Sequence, residues 1–144
     1  MIIFDDTLRT GIQLIDDEHE CLIRLTNSLS DALSDDTTGN VHLSILELGN
    51  YCETHFSHEE ELMSLVNYHS IDAHKFAHRE FIDLQRHIQG AYDIFDQIIN
   101  VKALVLYLED WIKVHISVTD FAYVQLMNDS APEVAALSKK MIDR

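Results

Sequence analysis

Four glycines and one proline among 144 residues leave too few turn-formers for a many-stranded chain, so helices are favoured before any pattern is read. Basic residues are scarce too. Ten Lys and Arg against 25 Asp and Glu give a formal charge of −15, which repels phosphate backbones and anionic headgroups. No basic cluster interrupts that field, so no nucleic acid is expected as a partner. Cys21 and Cys52 fit no CxxC or CxxCH spacing and would scaffold a secreted domain poorly, which points to reduced thiols and a cytoplasmic setting. The opening MIIFDDTLRT has no basic stretch followed by an apolar run, and nowhere do about eighteen apolar residues stand together. Neither export nor a membrane span is expected.

What the chain does have is periodicity. Four segments repeat apolar or anomalous residues at alternating spacings of about three and four, the seam of packed helices. The first runs Ile15, His19, Leu22, Thr26, Leu29, Leu33, with Asp16 and Asp17 near its start and SDDTTGN after it. The second reads Val41, Ile45, Leu48, Cys52, His55, Glu59, Leu62, Val66 and stops at NYHS, where Ser70 suits an N-cap. The third passes through Ile71, His74, His78, Phe81, Gln85, Ile88, Tyr92 and Phe95, ending between Gly90 and Asn100. The fourth carries Val101, Leu104, Leu108, Trp111, His115, Thr119, Ala122 and Leu126.

Short connections make such helices antiparallel neighbours, so the spacing predicts an all-α, up-down four-helix bundle over residues 1–128, with an N-terminal arm. A short additional C-terminal helix is expected over residues 129–144. There Ser130 and Glu133 form a capping-box pattern, Lys139, Lys140 and Arg144 suit a helix end, and Val134, Leu137 and Met141 form a stripe. That stripe docks on the bundle, or serves a protein partner or self-association.

The anomaly is in the seams. Five of the nine histidines, His19, His55, His74, His78 and His115, occupy seam positions, and every one of the four segments contributes at least one. A lone seam histidine is ordinarily a hydrogen-bonded core residue. Five converging ones are another matter, because each unpartnered polar group buried in an apolar bundle costs roughly 1–3 kcal/mol. A shared metal satisfies them together. Glu59, one turn after His55, points to the same side and is an expensive core resident unless a cation neutralises it. Asp120 fits less easily. Five residues after His115 is about 140° around a regular helix, so bringing it to the seam calls for a locally widened turn or a carboxylate reaching in from the flank.

Five imidazoles and two carboxylates exceed one ion's needs and lack the thiolates common in structural zinc sites. Two metals bridged by the carboxylates fit, and mixed nitrogen and oxygen ligation with an open position favours non-haem iron. If both carboxylates bridge, the odd histidine count makes the pair asymmetric and leaves one vacant position for a small neutral ligand, with dioxygen the obvious candidate.

The stretches IDDEH, HFSHEEELM, HKFAH and WIKVHISVTD, in this order, resemble the hemerythrin family, specifically its bacterial members, over roughly residues 11 to 127. The resemblance implies two iron ions (Fe2+/Fe3+) joined by a bridging oxo or hydroxo group. It assigns His74, His78 and His115 to one iron, His19 and His55 to the other, and Glu59 with Asp120 to the bridge. It further implies reversible dioxygen binding at the two-histidine iron, with Phe56, Trp111, Ile112 and Ile116 at positions matching the family's oxygen pocket.

Rival chemistries lack their motifs: no paired E-x-x-H for a ferritin-like oxidase, no H-E-x-x-H, no haem attachment site. The expectation is an oxygen binder for carriage, storage or local supply rather than an enzyme. The alternative is an oxygen or redox sensor that signals through the segment from Asn128 onward, and peroxide or nitric oxide chemistry at the vacancy is a third. His42, His58, His69 and His87 lie off the seams or at turns and are read as solvated, Cys52 as a buried small hydrophobe, and HEEE around Glu60 and Glu61 as a wet face.

Overall fold

The computed structural model describes the backbone of residues 1–34, 38–95 and 98–144, and the side chains of 1–34, 41–90, 102–103 and 105–144. The helices are α1 (Gln13–Ser34), α2 (Thr38–Leu65), α3 (Ile71–Phe95), α4 (Ile98–Val114), α5 (Phe121–Asp129) and α6 (Ala131–Ile142). Each of α1 to α4 packs on the next, and α4 returns against α1 to close the bundle. Among the described residues there is no strand, and no helix is long and apolar enough to cross a membrane. Tyr92, Phe95, Val101 and Leu104 of the expected seams lie outside the described side chains.

Polar side chains fix the helix ends. Before α1, Gly11 adopts the left-handed conformation (φ 84°), and the Asp16 carboxylate accepts from the Thr10 N–H at 2.7 Å, the Thr10 hydroxyl at 2.8 Å and the Gly11 N–H at 3.1 Å. The N-terminal arm is clamped to α1 by Asn27, whose amide exchanges hydrogen bonds with both backbone groups of Ile2. At the α2–α3 corner Asn67 takes the left-handed conformation (φ 55°) and the Tyr68 N–H donates to the Met63 carbonyl at 2.9 Å. The expected capping box of α6 does not form. Ser130 makes no side-chain cap bond, its carbonyl instead accepts from the Val134 N–H, and Pro132 fills the first turn, where no donor is needed.

The C-terminal helix docks. Val134 and Met141 are buried with Ile12, Met63, Tyr123 and Met127, Leu137 packs beside them, and Arg144 reaches Glu61 at 3.0 Å. The same cluster contains Leu14, Ile15, Leu62 and Val66. A second and larger cluster holds Leu22, Leu29, Leu48, Phe56, Phe81, Leu108, Ile112 and Ile116.

Along each helix the seam histidines fall between these two clusters. His19 separates Ile15 from Leu22, His55 and Glu59 separate Cys52 from Leu62, and His74 and His78 lie between Tyr68 and Phe81. On the last rod His115 and Asp120 lie between Ile112 and Tyr123. A polar belt thus crosses the middle of an otherwise apolar bundle.

The α4–α5 rod runs through that belt by way of a π-helical turn, His115–Asp120, with ordinary helical backbone on either side. Here is the widened turn that the five-residue spacing called for. Ser117 helps to sustain it, donating its hydroxyl to the Lys113 carbonyl at 2.7 Å. The extra residue also re-phases the rod. A regular helix would continue the seam through Thr119, Ala122 and Leu126, but Ala122 is exposed, and Asp120, Tyr123 and Met127 are the residues turned inward. One added residue rotates everything beyond it by about 100°.

Candidate metal centre

Each seam histidine is brought inward by the apolar stripe on which it sits. His19, His55, Glu59, His74, His78, His115 and Asp120 are all buried, and Glu59 and Asp120 have no exposed surface. Ligand-capable atoms of Glu59, His74, His78, His115 and Asp120 lie mutually within 4.8 Å, and those of His19, His55 and Glu59 do likewise. Glu59 belongs to both groups. Asp120 spans them as well: its Oδ2 is 3.1 Å from His19 Nε2, while Oδ1 is 3.1 Å from His74 Nε2 and 3.0 Å from His115 Nε2.

These atoms approach one another without satisfying one another. Ten buried side-chain atoms among the described residues have no hydrogen-bond partner, and nine of the ten belong to His19, Glu59, His74, His78, His115 and Asp120. Leaving so many donors and acceptors orphaned in the core would cost several kcal/mol, at roughly 1–3 kcal/mol each. Nitrogen lone pairs and carboxylate oxygens aimed at common points are what a cation needs, so the donor set fits a metal pair.

The electrostatics agree. Burial pulls the His19 imidazole down, but the Asp120 and Glu59 carboxylates beside it carry it up to about 10. His74, also pulled down by burial, is raised by the same two groups to about 9. Burial pushes Glu59 up, yet His55 and the surrounding imidazoles hold it well below the usual carboxylate range. Asp120 is lowered as well, against both its burial and the charge of Glu59, by His115 and His19. Where no cation is bound, His19 and His74 would carry protons against the Glu59 and Asp120 carboxylates.

The four expected pocket residues line the side of the belt facing the larger cluster. Phe56 stacks on His78 (centroids 3.9 Å apart, planes 8° apart) and lies 5.7 Å from His55, so it touches a histidine of each group. Trp111 stacks on His115 at 4.3 Å and 10°, and Ile112 and Ile116 are buried beside them. Leu22, one turn beyond His19 and in the same cluster, is a seam residue that the sequence did not mark as part of this wall.

Tyr123 was also missed. Fully buried on the opposite side, it donates its hydroxyl to Glu59 Oε1 at 2.5 Å, and burial together with the Glu59 and Asp120 charges pushes its phenol well up, keeping it protonated. Three residues after Asp120, it would have been found by carrying the seam through the widened turn. Tyr123→Phe is expected to lower stability by about 1–3 kcal/mol, because a buried carboxylate oxygen loses its donor. Urea unfolding of the metal-free chain would measure this, and an unchanged midpoint would contradict it.

Three surface readings also change. Glu60 is not simply solvated, since it accepts from His78 Nδ1 at 2.9 Å. His58 is half-buried, with Nδ1 2.5 Å from Glu18 Oε1, and the other Glu18 oxygen lies 2.7 Å from His55 Nδ1. Glu61 is occupied by Arg144.

A four-helix bundle with a histidine and carboxylate belt at mid-height defines a class of helical metal-binding proteins. The family model described as "Hemerythrin HHE cation binding domain" matches residues 10–127, and the chain belongs to the hemerythrin family. A bacteriohemerythrin from Pseudomonas aeruginosa is 32% identical over 137 residues, spanning 92% of this chain and 86% of the relative. A hemerythrin from Sipunculus nudus is 29% identical, with 87% of this chain and 92% of the relative covered. A crystal structure of a hemerythrin point mutant superposes with a TM-score of 0.75 at 23% identity over 82% of this chain and 89% of the other, a likeness of fold.

Proposed function

We propose that the belt holds two iron ions, His74, His78 and His115 on one, His19 and His55 on the other, with Glu59 and Asp120 bridging, and that the chain binds dioxygen reversibly. The carrying observation is that the orphaned Nε2 atoms of His19, His74, His78 and His115 face orphaned oxygens of Glu59 and Asp120, while the ligand-capable residues, His55 included, fall into two groups that share Glu59. Bound there, a reduced iron pair bridged by an oxo or hydroxo group would supply two electrons to a small neutral ligand and recover them on its release.

The chain's own residues do the rest. His74, His78 and His115 would hold one ion with three imidazoles against two from His19 and His55, so an open position would fall to the His19 and His55 side. Phe56, which touches both His55 and His78, forms with Trp111, Ile112 and Ile116 an apolar wall along the belt that excludes water and offers no acid or base to a bound molecule, which favours binding over turnover. Tyr123 keeps its proton on Glu59 and so fixes which oxygen lone pairs remain for bridging.

Two irons per chain and a reversible colour change are expected when anaerobically reduced protein is exposed to air and then degassed. Metal analysis and visible spectra check this. Fewer than two irons in a fully supplemented preparation would overturn the reading.

Sensing is the second reading, and one observation favours it: Tyr123 touches both Glu59 and the cluster on which α6 docks. Treated as an appended element, residues 129–144 would then change hydrogen-exchange protection between reduced and oxygenated protein. Carriage leaves them unchanged.

A further inference from the structure

We propose that Glu18 and His58 are positioning residues for the two-histidine metal, linked to it through His55 in a chain that runs from the surface to the belt. This rests on the metal reading above. Glu18, on α1, is buried, and its two oxygens are divided between two imidazoles of α2: Oε2 lies 2.7 Å from His55 Nδ1 and Oε1 lies 2.5 Å from His58 Nδ1. A carboxylate only accepts, so each ring donates its Nδ1–H. For His55 that leaves the Nε2 lone pair facing the belt, where Nε2 stands 3.5 Å from Glu59 Oε2. Glu18 thereby selects the tautomer a ligand needs.

His58 supplies what one carboxylate cannot. With both oxygens engaged Glu18 has no freedom to rotate, and the bond crosses from α1 to α2 beside the other belt residue of α1, His19. His58 keeps 18% of its side chain exposed, against 1% for His55, so this is the end of the chain that meets solvent. The rest of the belt is arranged differently. His78 has a single carboxylate, Glu60, which is 30% exposed, while His19 and His74 leave Nδ1 with no partner among the described residues. Among the described residues, His55 is held by a buried carboxylate that is itself clamped. It also belongs to the group with fewer imidazoles, where loss of one ligand's orientation matters most.

The test is metal release from the full-length iron-loaded chain to an iron(II) chelator under anaerobic conditions. Glu18→Ala should accelerate release of one of the two irons roughly 10–100-fold and leave the other unchanged. Glu18→Gln should fall between it and the parent, because its amide still accepts from one imidazole. His58→Asn, at a half-exposed position that should fold, should accelerate the same iron by less than Glu18→Ala, and a Glu18→Ala/His58→Asn double variant should match Glu18→Ala alone. Thermal midpoints of the metal-free variants supply the control. A general structural role would lower those midpoints and speed both irons equally, which would overturn the proposal, as would unchanged release. A parent chain that takes up no iron would overturn the metal reading itself, and is distinguished by failing before any variant is made.

Discussion

Deleting Val118 is expected to abolish the paired metal site while leaving α1 to α3 helical. Val118 is 65% exposed within the widened turn His115–Asp120, so its side chain contributes little packing. Its removal restores a regular helix, in which residues either side of the deletion are re-phased by about 100°. Asp120 then leaves the belt, or, if it stays, His115 does. Asp120 is the carboxylate within about 3 Å of one histidine from each of α1, α3 and the α4–α5 rod, so both metal positions lose a donor together. Tyr123 and Met127, each with no exposed surface, would turn outward with it. Exposing two such side chains costs roughly 1.5–3 kcal/mol apiece, and α6 loses the floor on which it packs. Metal analysis should find less than one iron per chain, and circular dichroism should find most of the helix retained. A deletion variant that still holds two irons would show that the turn is incidental.

Metal-free protein should be most stable between about pH 4.5 and 6.5 and should lose stability on both sides, opposite to the iron-loaded form, which should strengthen toward neutrality. His19 and His74, raised to about 10 and about 9, contribute stability that is fully present below the ordinary histidine value of 6.5 and is lost as pH rises through their raised values. Glu59 and Asp120 are lowered, so their contribution is present above ordinary carboxylate values of 4.5 and 3.8 and is lost as pH falls. A bound cation replaces the protons on the imidazoles, so its affinity grows as pH rises. The gap between loaded and metal-free thermal midpoints should therefore widen from about pH 6 to about pH 9. Scans of both forms across that range measure it. A metal-free midpoint that climbs over the interval would contradict the imidazolium–carboxylate account of the belt.

Much of this was legible in the residues. The apolar stripes identify the helices because burial of one face is what stabilises them, and the seven belt residues stand out because imidazoles and carboxylates in a seam are costly without a partner. Even the widened turn was one of two arrangements the sequence allowed, since Asp120 sits at the wrong angle for a regular helix. Beyond the turn the seam passes through Tyr123 and Met127, whereas an unbroken period leads to Ala122 and Leu126. Glu18, Glu60 and His58 escaped for a different reason. They lie at the edges of their stripes, and whether an edge residue meets water or a neighbouring imidazole depends on how two helices cross. Periodicity along one helix holds no record of that. Ser130 shows the reverse case, a good capping pattern left unused where Pro132 fills the helix's first turn.

The polar belt also bears on how the molecule comes apart. Oily contacts make a bundle melt as one unit because every layer leans on the next, and here that continuity is interrupted halfway along. Without bound metal, the chain is expected to open as two halves coupled through buried charged pairs that pH can weaken. Loaded, the same plane becomes the rivet, and the four rods open or stay shut together.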